Sequence, residues 1–204
     1  VYRYTTPADH ALFDLSKKAH FGCGDSGNLS LGFFNGQGEG AAEENGNKHF
    51  VARLAKPFLL GENQYAEVGG SYYAGRFFNT NMGRGYEDNV LNVYGFWAPN
   101  PFGLQAEYYT GETMGADLNG WYGMGIWRAS ERGTAFVRYE DYSGRRKRVD
   151  RAPAASDYDR ERTSIGYAYE LDSNTRLTAE YDIEHIANGD YNDNMFGLQI
   201  QTKY

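Results

Sequence analysis

Cysteine is almost missing from this sequence, with Cys23 the single thiol in 204 residues. One thiol excludes an internal disulfide framework and any cysteine-rich metal centre, so the fold is held by something other than covalent staples. Long apolar runs are missing too. No stretch approaches the roughly 18 apolar residues of a membrane-spanning helix, so a bilayer could be crossed here only by strands. Proline is scarce, 5 residues against 26 glycines, and little interrupts an extended ladder. The four histidines, His10, His20, His49 and His185, show no HExxH spacing. An excess of positive charge is absent as well, and a formal net charge of -7 argues against a nucleic-acid partner. At Val1 there is no basic segment leading into an apolar one. The expectation is that a secretory signal was removed or that the chain starts part-way through a longer protein.

What the sequence has in quantity is aromatic residues, 18 Tyr and 12 Phe, and long period-two patterns. The last thirty residues are the clearest case. Leu177, Ala179, Tyr181 and Ile183 alternate with Arg176, Thr178, Glu180, Asp182 and Glu184. After a polar loop Phe196, Leu198, Ile200, Thr202 and Tyr204 alternate with Gly197, Gln199, Gln201 and Lys203. Alternation over about ten residues is the mark of a strand with two different solvents on its faces. A sandwich strand is usually only about five or six residues long, whereas a membrane-crossing strand needs about 9 to 11.

Eleven strand candidates follow, near 11–21, 28–35, 48–58, 64–77, 88–98, 102–111, 118–129, 133–143, 160–171, 175–186 and 194–204. Their connections alternate short and long, as in an outer-membrane barrel with tight periplasmic turns and longer extracellular loops. The expected fold is therefore all-β: one domain over 1–204, a transmembrane antiparallel up-and-down β-barrel with about 11 strands present. An odd strand count implies missing N-terminal strands, because an unpaired edge in lipid is costly. The alternative is that Val1–Thr6 forms a twelfth strand closing a small barrel.

Parity assigns faces. Phe50, Ala52, Leu54, Ala66, Val68, Tyr72, Leu91, Val93, Phe102, Leu104, Ala106, Tyr108, Val137, Tyr139, Ile165, Tyr167 and Tyr169 are expected toward lipid. The expected pore-lining set is Arg53, Glu67, Glu107, Arg138, Glu140, Arg162, Glu170, Arg176, Glu180, Asp182, Glu184 and Lys203, with Asn92, Gln105 and Ser164 beside them. A lipid-facing Arg or Lys would cost roughly 2–4 kcal/mol at the bilayer midplane, which forces these charges inward once a membrane is accepted. The segment 118–129 resists assignment, since Trp121, Tyr122, Met124, Ile126 and Trp127 are apolar on both parities.

Several stretches resemble the phosphate-selective porin O and P family: LGFFNGQG (31–38), KHFVARLAKPF (48–58), FGLQAEYY (102–109), GWY (120–122) and FVRYEDYSG (136–144), in that order and spacing. The resemblance implies the C-terminal part of a barrel of about sixteen strands, a homotrimer, and a constriction loop in the missing part. It implies a bacterial outer-membrane porin, a water-filled channel for passive diffusion of small hydrophilic solutes and ions, with anion or phosphate preference. The partners would be outer-membrane lipid, lipopolysaccharide, and inorganic anions or small solutes. The alternative is a non-conducting structural or adhesion barrel.

The acidic members of the lumen set oppose anion preference unless arginines neutralise them, and pairing of Arg162 with Glu184 and of Arg176 with Glu170 is expected. The run Arg145, Arg146, Lys147, Arg148 and Arg151 in the longest loop is the candidate anion-attracting cluster at the mouth. No cofactor and no metal are expected. Asp190–Asn194 lacks the turn glycine and the bidentate Glu of a calcium loop, and the glycines at 36, 38 and 40 precede no helix. Without a convergent nucleophile or metal set, the expectation is that the chain is not an enzyme.

Overall fold

The computed structural model describes residues 2–4, 28–35, 46–60, 64–79, 84–113, 116–146, 158–186 and 191–202. They form one antiparallel sheet in sequence order, β1 (Tyr2–Tyr4), β2 (Asn28–Asn35), β3 (Lys48–Leu59), β4 (Tyr65–Asn79), β5 (Arg84–Trp97), β6 (Phe102–Thr113), β7 (Ala116–Arg128), β8 (Gly133–Arg146), β9 (Tyr158–Glu170), β10 (Thr175–Ile186) and β11 (Tyr191–Thr202). This is the expected all-β, up-and-down meander. Every ladder joins strands that are consecutive among the described residues, and no described strand touches a non-consecutive one. The expected strand at 11–21 lies outside the described residues. Tyr2–Tyr4 is a strand, but it lies against β2, and among the described residues no ladder joins it to β11.

Two connections differ from expectation. The loops expected at 78–87 and 112–117 are largely ladder, since β4 and β5 pair as far as Asn79 and Arg84, and β6 and β7 as far as Thr113 and Ala116. The sequence shows no clean alternation at these ends, yet backbone pairing needs none. Arg76 and Glu87 face each other across this extension, 3.9 Å apart and well exposed. The opposite end keeps tight turns. At 171–174, Asp172 Oδ1 accepts from the backbone N–H groups of Asn174 and Thr175 at 2.7 and 2.8 Å. Those backbone bonds hold the Asp172 carboxyl below its ordinary value.

Only one face of this single layer is covered. His49, Glu67 and Ser164 are each 1% exposed, although no other described element packs against the sheet. A single sheet can cover its own face only by curling, so this face is the concave, inner one. The opposite face is exposed and apolar: Leu54, Val68, Leu104, Val137, Ile165, Leu198 and Ile200 are among its members.

The inner wall is made smooth by glycines that seat rings from the adjacent strand. Tyr94 lies over Gly69, Tyr109 over Gly120 and Phe136 over Gly166, in each case directly opposite in register. A Cβ at any of the three would run into the ring. Gly166→Val is therefore expected to destabilise the fold by about 1–3 kcal/mol through overpacking, with part of the loss restored by adding Phe136→Leu. Urea midpoints of the folded protein in lipid vesicles measure both.

Candidate functional site: the inner wall

From β3 to β9 burial alternates with the parity expected from the sequence, whereas β11 is exposed on both parities, with Met195 at 55%. Register also resolves the segment that parity could not. Trp121 pairs with Tyr108 and Trp127 with Phe102, which places Trp121 and Trp127 on the exposed face. Tyr122, opposite Glu107, then points inward with Met124 and Ile126. Met124 and Ile126 join Tyr65, Phe96, Ala98 and Phe136 in a buried apolar cluster near the tight turns. The inner wall is thus not uniformly polar. Parity missed the cluster because both faces of β7 are apolar, one toward the outside and one toward the cluster.

Above that cluster the wall is charged and tightly paired. Glu67 accepts hydrogen bonds from Tyr65 and, at 2.7 Å, from the Tyr94 hydroxyl. The Arg53 guanidinium lies 5.2 Å from the Tyr94 ring centre. Asn92 Nδ2 donates to Glu107 at 2.5 Å, and Gln105 Nε2 donates to the Tyr122 hydroxyl at 2.6 Å. On β8 the Arg138 guanidinium pairs with Glu140 and lies 4.6 Å from the Tyr122 ring centre.

The centre of the network is Arg162. It donates to Glu184 from Nη2 at 2.6 Å and from Nε at 3.0 Å, and its Nε lies 3.4 Å from Glu140. Arg160 Nη2 reaches the same Glu184 oxygen at 2.6 Å. The expected Arg162–Glu184 pair is present, with the two residues directly opposite in register. Arg176 stands directly opposite Glu170, as expected, and also donates a 2.7 Å bond to Gln201. Glu180 and Asp182 lie on the inner face of β10, with Ser164 of β9 directly opposite Asp182, and one Asp182 carboxylate oxygen is buried without a hydrogen-bond partner among the described residues.

Arg145 and Arg146 end β8, while Lys147, Arg148, Arg151 and Lys203 lie outside the described residues, as do Asp190, Cys23, His10 and His20. Sequence reading missed Arg160, although its parity matches Arg162. It also missed the inward tyrosines 94, 109, 122 and 142, because Tyr occurs on both faces of these strands and carries no parity signal. A recess of about 400 Å3 opens on the wall between β6 and β9, with Tyr109, Tyr122, Tyr142, Arg138, Arg160 and Glu107 among its lining.

On the outer face the apolar side chains stop at a polar row. Thr110 pairs with Asn119, Asp141 with Glu161, and Glu161 with His185, all at the end away from the tight turns. His185 continues the row to β11 through a 3.0 Å contact with Asn192 Oδ1.

No family model and no curated protein matches the chain. Among solved structures it is similar to outer-membrane expressed OmpT of Vibrio cholerae, at 15% identity and a TM-score of 0.49, over 99% of this chain and 75% of that one. The expectation that the chain is not an enzyme is corrected at this point: a likeness to a protein titled OmpT gives that exclusion no support, and it is withdrawn.

Proposed function

We propose that the chain forms the wall of a water-filled channel in the bacterial outer membrane, a porin for passive diffusion of small hydrophilic solutes and ions. The observation that carries this reading is the division of one curled layer into a charged inner face and an apolar outer band that ends on the row from Thr110 to His185. Lipid hydrocarbon suits the band, and the polar row suits the headgroup level, where lipopolysaccharide would meet the longer loops. Water suits the central network on the inner face, because Arg138, Glu140, Arg160, Arg162 and Glu184 keep 15–36% of their side-chain surface exposed. The resemblance to the phosphate-selective porin O and P family supports the same reading and is the ground for proposing a homotrimer.

Anion preference rests on that resemblance and on the central network, where Arg138, Arg160 and Arg162 outnumber Glu140 and Glu184. Glu180 and Asp182 oppose it. A second reading, a non-conducting structural or adhesion barrel, is favoured by the apolar cluster that narrows the inner face near the tight turns. Single-channel recording of the full-length protein in planar bilayers separates the two. The porin reading expects stepwise ohmic currents and, under a salt gradient, a reversal potential on the anion-selective side. Folded, inserted protein without current would establish the second reading instead, and a cation-selective reversal potential would overturn the anion preference alone.

A further inference from the structure

We infer that the recess between β6 and β9 is a binding station for a neutral, polyhydroxylated ring solute of the mono- or disaccharide class. The inference rests on the channel reading, since seven of the nine residues lining the recess have inward parity, Trp121 and Asp141 being the exceptions. Its volume of about 400 Å3 falls in the range of small-molecule pockets, roughly 300–1,000 Å3. Three tyrosine rings border it, with Tyr109 and Tyr142 at a centroid distance of 6.2 Å and Tyr122 held by Gln105 and Arg138. Such rings offer flat apolar faces to the C–H side of a sugar ring.

A wall with a small positive excess can draw anions through the pore without holding them; inside the recess each guanidinium is paired with a carboxylate, which suits hydroxyls better than a bare ion. Arg138 is paired with Glu140, Arg160 with Glu184, and Glu107 adds a further carboxylate at the wall. A bare anion in the recess meets carboxylates well within the Debye length of about 8 Å, and a cation meets guanidiniums at the same range. A neutral solute meets neither penalty. Its hydroxyls both donate and accept, so each can use a carboxylate oxygen and a guanidinium N–H standing side by side. The Nε–H groups of Arg138 and Arg160 have no partner, which leaves donor capacity that the ion pairs do not use.

The test is current blockade of the full-length protein in planar bilayers by maltose, with sorbitol as an open-chain polyol and sodium phosphate at constant ionic strength as comparisons. Maltose should lower the open-channel current with a saturable dependence. Tyr122→Ala and Tyr109→Ala should raise the half-blocking concentration about tenfold. Leu198→Ala, on the opposite face, should leave it unchanged. A conducting channel that maltose does not block saturably, or that sorbitol or phosphate blocks as well or better, overturns the inference and leaves the channel reading standing. If folded protein carries no current, titration calorimetry with maltose in detergent decides. Saturable heat that is lost in Tyr122→Ala supports the station while the channel reading fails, and no heat in the wild-type protein sinks both.

Discussion

Val137→Arg should cost about 2–4 kcal/mol of folding stability in a bilayer, while Thr178→Arg, on the other face of the same sheet, should stay within about 0.5 kcal/mol of neutral. Val137 is 53% exposed, and its ladder partner Ile165 is exposed to the same degree. In water such a position would accept a guanidinium readily. In hydrocarbon the charge must be carried into a medium that cannot solvate it, and Val137 lies two positions inside Tyr139 and four inside Asp141, too deep for easy snorkelling. Thr178 has inward parity, opposite Ala168 and Gln199. Equilibrium refolding into lipid vesicles from urea measures both variants. Equal costs would sink the membrane assignment, and a reversed order would mean that the faces had been exchanged.

Arg162→Met should be the most damaging single change on the inner wall. The guanidinium spans Glu140 and Glu184, whose side chains are only 19% and 15% exposed. Removing one member of a fully buried charge cluster costs about 3–5 kcal/mol; partial solvent access lowers the expectation here to about 2–3 kcal/mol. Arg162→Lys should recover only part of this, because an ammonium lacks the planar fork that serves two carboxylates together. The same change removes one positive charge from the wall, so the reversal potential should move toward cation preference. A double-mutant cycle with Glu184→Leu should give a coupling energy of about 1–3 kcal/mol. Additive costs in that cycle would mean that the pair contributes nothing of its own.

Period-two alternation is a local property, reporting only which solvent each side chain meets, and it was readable wherever the two solvents differ. That is why the strand bounds at 28–35 and 175–186, the outward set from Phe50 to Ile200 and the inward set from Arg53 to Glu184 were legible residue by residue. It also explains where legibility stopped. β7 is apolar toward the outside through Trp121 and Trp127 and apolar toward the inner cluster through Met124 and Ile126, so its own residues held no contrast. Only pairing with β6 assigned its faces, since one register fixes every side chain of a strand at once.

What the sequence by itself determined, then, was fold class, the order of the strands from β2 to β11 and the polarity of the faces, those of β7 apart. The tertiary structure decided the encounters between strands: Phe136 seated on Gly166, Tyr94 on Gly69, and Arg160 and Arg162 brought to one carboxylate of Glu184. Those depend on registers set by hairpin connections and on a curl that crowds the inner face. A residue's own neighbours in sequence carry no record of either, because the partner lies about 4.7–4.9 Å away across the sheet, not along the chain.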